Sequence, residues 1–349
     1  MTMPSRITGG VDTHLDVHVA AALDERGGLL GVEMFPTTAA GYQRLLSWLQ
    51  GFGDVELVGV EGTGSYGAGL TRFLNTHHVA VGEVDRPNRQ RRRRRGKIDP
   101  QDAISAARAA QSGDSCGLAK TRDGNVEAMR VLRVARSSAR RSRTQALNQM
   151  RALISTAPDE IRSELRDLNA HHLLHRAASY RPGQRHDVNA TTKFALRTLA
   201  RRAIALEDEV AEIDKILTGL AVETAPELID INGVGTDVAT ALLVAAGDNP
   251  ERLRNEATFA HLCGVAPIDA SSGKHERHRL NRGGDRQANS ALWHIVITRM
   301  VCDQRTRDYI ARRLDEGRTK KEAMRCLKRY IAREIYHQLP RQHPALDNP

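Results

Sequence analysis

The chain has 349 residues, 40% of them hydrophobic and 27% charged, so it is long enough for two or three domains with ordinary cores. Its net charge of +10 favours phosphate backbones as partners, and the lack of an apolar run of about 18 residues argues against a membrane. Four scattered cysteines without a CxxC pair argue against structural zinc, and with no secretory pattern at the N-terminus they indicate a cytoplasmic protein.

The first 85 residues predict a mixed α/β sheet. Alternating β-branched residues over 7–35 predict strands joined by a turn at Asp24–Gly28. Two strand-helix-strand units follow, with strands at 54–60 and 79–85 and helices at 41–52 and 65–75. Connections of this length imply parallel pairing through right-handed crossovers. A helix is predicted from Asp99 to Gly113, with Pro100 in its first turn.

The rest of the chain predicts helices. Two long tracts cover about 123–154 and 191–220, and residues 171–190 are predicted to be the loop between them. The second tract has an apolar seam of three heptads, which favours a coiled coil slightly over an amphipathic helix packed in its own domain; the seam is Leu199, Ala203, Leu206, Val210, Ile213, Leu217 and Leu220. From Ala225 a compact helical domain is predicted, with further helices from Arg286, Arg305 and Lys320.

The turn at Asn232–Gly235 opens a helix of that domain. It resembles a helix-hairpin-helix, whose backbone N–H groups grip a phosphate. A plain packing joint between two helices explains it equally well.

Four carboxylates are candidates for a metal site. Asp12 lies inside an apolar strand, Glu61 ends another, and Asp99 and Asp102 share one face at a helix start. Buried carboxylates that converge need cations, and two Mg²⁺ ions suit in-line attack on a phosphodiester. Asp16 is expected to be solvated, and Glu83 to be structural.

A dinucleotide site is the competing interpretation of this region. Residues Gly62–Gly67 match G-x-G-x-x-G after a strand, and Glu83 follows about 20 residues on. Glu61 would, however, point a carboxylate at the pyrophosphate, and no second α/β half follows.

The positive charge is concentrated between Arg86 and Arg143, where 17 Lys and Arg residues face five acids. We expect nucleic-acid contacts from the arginine run and from a helical stripe, because no compensating acids are evident in the sequence. The run is Arg91, Arg92, Arg93, Arg94 and Arg95, and the stripe is Arg133, Arg136, Arg140 and Arg143.

A serine segment precedes the last helices. Ser271 and Ser272 stand before a cationic stretch that includes Lys274, Arg277 and Arg279. Such a serine is a possible nucleophile toward phosphate, but residue types alone favour a polar loop on a nucleic-acid surface.

In combination, these pieces resemble the DEDD-type transposases of the insertion-sequence-110 group over nearly the whole chain. The matching segments are Gly10–Asp12, Val60–Tyr66, Lys97–Ala103, Ile231–Gly235 and Gly264–Gly273. The resemblance implies a RuvC-like (RNase H fold) domain at 1–120, a coiled-coil domain at 121–222 for dimerisation and nucleic-acid binding, and a helical transposase domain at 223–349.

The resemblance also implies a mechanism. Asp12, Glu61, Asp99 and Asp102 hold Mg²⁺, and Ser272 is the nucleophile, with Ser271 as its adjacent alternative. The partners implied are donor and target DNA, a structured guide RNA, and a homodimer or homotetramer at the nucleoid. The rivals are a RuvC-like hydrolytic nuclease of the junction-resolvase type, a non-catalytic nucleic-acid-binding protein, and the dinucleotide enzyme.

Overall fold

The computed structural model describes residues 5–84, 99–113, 116–183, 187–270 and 278–340. Contacts divide the chain into two compact units. Unit 1 is Met1–Val126, Ala245–Arg286 and Ala332–Pro349, and unit 2 is Glu127–Val244 and Gln287–Ile331. The domain boundaries at 120 and 222 stay a prediction. Within the described ranges, no helix is both long enough and apolar enough to cross a membrane.

Unit 1 contains a six-stranded mixed sheet in the order β3-β2-β1-β4-β5-β6. The strands are β1 (Arg6–Thr13), β2 (Val17–Leu23), β3 (Leu29–Pro36), β4 (Asp54–Glu61), β5 (Ala80–Val84) and β6 (Cys116–Leu118). β1, β2 and β3 form an antiparallel meander, while β1, β4 and β5 are parallel neighbours. The meander followed by α/β units is confirmed; the short edge strand β6, antiparallel to β5, was not predicted.

Helices cover both faces of this sheet. α1 (Ala39–Gln50) and α2 (Ala68–Thr76) bury Leu45, Leu49, Leu70 and Leu74 in one core with strand residues such as Val11 and Val60. α3 (Asp99–Ser112) packs on the opposite face, where Ala103 and Ile104 meet β2. Alternation of side chains along each strand therefore decides which helix a strand residue meets.

The remaining elements are mostly helices. They are α4 (Asn125–Ser155), α5 (Asp159–Leu165), α6 (Ala170–Ala178), α7 (Val188–Thr224), α8 (Pro226–Ile229), α9 (Thr236–Ala246), α10 (Glu256–Leu262), β7 (Ile268–Asp269), β8 (His278–Arg279), α11 (Arg286–Cys302), α12 (Gln304–Asp315) and α13 (Lys320–His337). The prediction of a loop at 171–190 is wrong for its first part, because α6 covers the residues up to Ala178. Asn169 caps α6 by accepting from the His172 N–H, and Leu173, Leu174 and Ala177 anchor it in the core.

In unit 2, α4 and α7 pair antiparallel. Arg143 of α4 binds Glu207 of α7, and Arg136 binds Asp214. Seven residues back along α4 thus correspond to seven residues forward along α7, so the two helices run in opposite directions. The N-terminal half of α7 shares a core with α4, α5 and α6. Several residues of the predicted coiled-coil seam, Ala203, Ile213 and Leu217 among them, are thus buried within the chain itself. The coiled-coil domain itself stays a prediction.

Candidate active site and nucleic-acid surface

Asp12 and Glu61 lie at the same end of neighbouring parallel strands. Val11 of β1 is the register partner of Val60 of β4. Asp12 and Glu61 are the next residues of these two strands, so they lie side by side. Both side chains are almost fully enclosed, since Asp12 is 4% and Glu61 7% exposed. Two carboxylates in such an environment are costly unless charge or hydrogen bonds compensate them.

The strand pleat places both carboxylates on the face that α3 covers. Val11 and Val60 belong to the core under α1 and α2, and the next residue of each strand points to the other side. Gly10 and Gly59, two residues before each acid, lie on this second face against α3. A Cβ on Gly10 would lie 2.1 Å from the Ala107 nitrogen, and one on Gly59 would lie 2.6 Å from the Ala106 oxygen.

The direction of α3 brings its first turn toward the same end of the sheet. Ala103, in the second turn of α3, belongs to the same core cluster as Val19, which is the cross-strand partner of Asp12. Gln111, in the last turn, donates to the Asp24 carbonyl at 2.7 Å, just beyond the opposite end of β2. Asp99 and Asp102 therefore belong to the end of α3 nearest Asp12 and Glu61.

The donor chemistry of these residues fits Mg²⁺, which prefers carboxylate oxygens. Asp12 and Glu61 are brought side by side, and Asp102 is half-buried on the helix above them. The side chain of Asp99 lies outside the described residues. Among those that are described, no group of three acid, histidine or cysteine side chains is already close enough to hold a metal ion. Asp16 is exposed, as expected for a residue outside the site.

Two neighbours of the carboxylates were not singled out from the sequence. His14 Nε2 lies 3.2 Å from the Asp12 Oδ2 atom, and the buried Thr13 hydroxyl donates to the Glu61 carbonyl at 2.7 Å. The available signal was the spacing, because His14 stands two residues after Asp12 and directly follows the end of β1 at Thr13. Thr13 ties the end of β1 to the end of β4 and so fixes the spacing of the two acids.

The loop Gly62–Gly67 closes on itself. The Ser65 and Gly67 N–H groups donate to the Gly62 carbonyl at 2.9 and 3.2 Å, so these two donors are committed within the turn. Glu83, the acid that a dinucleotide site would turn to a ribose, instead accepts from the Thr63 hydroxyl at 2.7 Å. Glu83 is thus structural, as predicted, and the geometry gives the dinucleotide interpretation no support.

A cluster of cations lies beside this loop in unit 1. A Cβ on Gly64 would meet the Arg122 guanidinium at 2.8 Å, and one on Gly247 would meet the Lys120 side chain at 2.9 Å. Burial, together with the charges of Arg252 and Arg122, lowers the pKa of Lys120 to about 8, against the opposing influence of Asp285 and Glu83. No local pattern indicates this cluster, because its members come from distant segments.

The residues that flank the serine segment, Gly264 and Gly284, pass close to one another. A Cβ on Gly284 would lie 2.3 Å from the Gly264 nitrogen, and the Asn281 amide donates to the His261 carbonyl at 2.9 Å. Beyond the crossing, β7 and β8 pair antiparallel. Ser271, Ser272, Lys274 and Arg277 lie outside the described residues, and Arg279 is exposed on β8.

The arginine stripe on α4 differs from its prediction. Arg133 donates to Asp237 at 2.8 Å, Arg136 to Asp214 at 2.5 Å, and Arg143 to Glu207. The premise that no acids compensate the stripe is therefore wrong, because the acids come from α7 and α9. Of the four, Arg140 is exposed, and nucleic-acid binding by the stripe stays a prediction. The run Arg91–Arg95 lies outside the described residues.

The turn at Asn232–Gly235 packs on α11. A Cβ on Gly233, whose φ is +83°, would meet Ile295 at 3.3 Å, and the Asn232 carbonyl accepts from Arg299 at 2.8 Å. Asp237 also puts a negative charge in the first turn of α9, which disfavours an anion there. Of the two interpretations of this turn, the geometry favours the packing joint.

Comparison with known proteins gives two family matches and one relative. Residues 9–158 match the model of the IS110 DEDD transposase, described as a transposase, and residues 225–311 match one described as the transposase IS116/IS110/IS902 family. The chain is also 30% identical over 143 residues to the insertion element IS110 uncharacterized 43.6 kDa protein of Streptomyces coelicolor. That alignment covers 40% of this chain and 35% of the relative.

Proposed function

We propose that this chain, which carries two IS110-family transposase domains, is a DNA transposase that cleaves and exchanges strands at a Mg²⁺-dependent carboxylate site with a serine nucleophile. The observation that carries the proposal is the pair of buried carboxylates, Asp12 and Glu61, at adjacent strand ends under the first turn of α3. Support for DNA as the substrate comes from the family matches and the net charge of +10.

The proposed fold of this domain is RuvC-like, of the RNase H type. Its support is the antiparallel three-stranded meander followed by two parallel strands, with helices on both faces. In this arrangement the ends of β1 and β4 and the start of α3 contribute Asp12, Glu61, Asp99 and Asp102. Mg²⁺ bound there would polarise the scissile phosphate and stabilise the attacking and leaving oxygens.

The protein side of the chemistry is assigned to Ser272. Its Oγ forms a bond to the phosphorus as the bond to the 3′ oxygen breaks; the serine loses its proton, and the 3′ oxygen gains one. The product is a serine–DNA phosphodiester and a free 3′-hydroxyl. Attack by another 3′-hydroxyl reverses the step on a new partner strand, so the bond energy is conserved and no nucleotide cofactor is required. The crossing of Gly264 and Gly284 fixes the base of the segment that carries Ser272.

A structured guide RNA that pairs with donor and target DNA, and a homodimer or homotetramer, complete the proposal. Their support is the resemblance and the concentration of positive charge between Arg86 and Arg143. Purification of the chain from its host, followed by sequencing of bound RNA, tests this part. A discrete short RNA from the sequence flanking the element is expected, and a random sample of cellular RNA would contradict it.

The serine chemistry is tested by trapping the protein on DNA. Wild-type protein incubated with a labelled donor end and Mg²⁺ should yield a denaturation-resistant protein–DNA adduct, which Ser272→Ala abolishes and Ser271→Ala retains. Loss of the adduct in the Ser271 variant alone would move the nucleophile by one residue. Cleavage that survives in Ser272→Ala and releases free ends would instead favour a hydrolytic nuclease of the junction-resolvase type.

A further inference from the structure

A groove of about 560 Å³ runs between α4, α9 and α11 in unit 2. α4 contributes Arg133, Arg136, Arg140 and Arg141, and α11 contributes Ser290 and His294. We refer to it as the arginine groove. This volume lies within the roughly 300–1,000 Å³ of sites for small organic molecules, so the groove accommodates a short segment of nucleic-acid backbone.

Two of the four arginines are held in place by acids. Arg133 donates to the Asp237 carboxylate at 2.8 Å and to the Thr240 hydroxyl at 2.7 Å. Arg136 donates to Asp214 at 2.5 Å and to Asp237 at 2.9 Å. Both side chains are 14% exposed, so their guanidinium groups are fixed parts of the wall and their charges are largely offset.

The other two arginines are differently placed. Arg140 and Arg141 are exposed at the groove, and Arg141 makes one 3.3 Å hydrogen bond, to the Ser137 carbonyl of its own helix. Within the described part of the chain, neither forms an ion pair, so the groove keeps an excess of positive charge at this end. Exposed neighbouring arginines repel one another unless an anion binds between them.

The lining also indicates how a ligand would be held. Among the described residues that line the groove there is no Phe, Tyr or Trp, so base stacking on a protein ring is limited to the imidazole of His294. Hydroxyl and amide groups, such as those of Ser290 and Gln287, are present instead. Donors of this kind, beside guanidinium groups, recognise phosphate and sugar oxygens and carry little sequence information.

We propose that the arginine groove binds the phosphodiester backbone of one nucleic-acid strand, with Arg140 and Arg141 contacting successive phosphates. Arg133 and Arg136 act as positioning residues that shape the wall through Asp214 and Asp237. The proposal rests on the proposed function in one respect, that the natural ligand of this chain is a nucleic acid. It places a backbone-binding site in unit 2.

The test is a binding titration of the full-length chain by fluorescence anisotropy in EDTA, so that catalysis does not contribute. The probes are a 20-nucleotide single-stranded DNA, the same sequence as RNA, and duplex DNA. The variant is Arg140→Gln/Arg141→Gln. The control is Arg201→Gln/Arg202→Gln, an adjacent exposed pair on α7 in the same unit but outside the groove.

Loss of two phosphate contacts to a single strand should reduce the slope of log K against log salt by about 1.4 and weaken binding about 25-fold at 0.1 M salt. The control pair should leave both quantities near wild type, and both variants should melt like wild type, since these side chains are exposed. Whichever probe loses affinity identifies the strand as DNA or RNA.

Unchanged affinity and slope for every probe, or an equal loss in the control pair, would overturn the proposal that the arginine groove binds the backbone. The transposase proposal would remain intact. A wild-type chain that bound none of the three probes would overturn both proposals.

Discussion

Substitution of Gly10 by alanine is expected to displace α3 from the sheet. The added Cβ would lie 2.1 Å from the Ala107 nitrogen and 2.3 Å from the Ala103 oxygen, both backbone atoms of α3. Ordinary contact needs about 3.4 Å, so the helix must move by about 1 Å, and overpacking of this kind costs about 1–3 kcal/mol. Because α3 carries Asp99 and Asp102, a shift of about 1 Å should also lower strand exchange by about 100-fold.

Gly9→Ala is the matched control. Its Cβ would point to the other face and meet only side-chain atoms, Leu49 Cδ1 at 3.1 Å and Val58 Cγ2 at 3.2 Å, which can adjust. Chemical denaturation and a strand-exchange assay in Mg²⁺ measure the two effects. If Gly10→Ala is as stable and as active as Gly9→Ala, the close helix–strand contact does not position the acids. Gly59→Ala, with a milder 2.6 Å clash, serves where Gly10→Ala fails to fold.

Three further outcomes are expected. Burial lowers the pKa of His18 to about 4, so between pH 4 and 6.5 the unfolded chain binds a proton at this residue more readily than the folded chain. The stability of the wild type should therefore fall by up to about 3 kcal/mol on acidification through that range. In His18→Phe, denaturation curves should lose that part of the pH dependence. The lowered pKa of Lys120 has the same sign, so wild type should gain stability relative to Lys120→Met from about pH 8 upward, and a constant difference between their unfolding free energies would contradict the burial of this amine. Gly284→Ala should cost about 1–3 kcal/mol and abolish the serine–DNA adduct, because its Cβ collides with the Gly264 backbone, whereas Gly283→Ala, with its nearest atom at 3.5 Å, should do neither.

Local patterns were sufficient to predict the meander and the α/β units after it, but not that β4 lies beside β1. Helix α1 connects β3 to β4, yet β4 pairs with β1, so the adjacency of Asp12 and Glu61 depends on the strand order of the folded sheet. The small residues Gly10 and Gly59 permit α3 to lie close to the sheet, and the proposed role of Asp102 in the site depends on this contact.

Tertiary contacts explain what the sequence could not show. The acids that bind Arg133, Arg136 and Arg143 lie on other helices, 64 to 104 residues further along the chain, so a helix stripe taken alone looks uncompensated. α6 was missed because its nine residues are too short for a clear period, although Asn169 is an N-cap signal. The compact units are discontinuous, and no local pattern indicates that Ala245–Arg286 returns to the unit of the sheet.

The most direct test of the central claim is calorimetric titration of the chain with Mn²⁺ as a probe for Mg²⁺. Wild type should bind the cation with release of heat, Asp12→Asn and Glu61→Gln should lose that binding while keeping their melting temperatures, and Asp16→Asn, an exposed acid four residues from Asp12, should bind like wild type. Equal cation binding by Asp12→Asn and Asp16→Asn would contradict a metal site at the ends of β1 and β4.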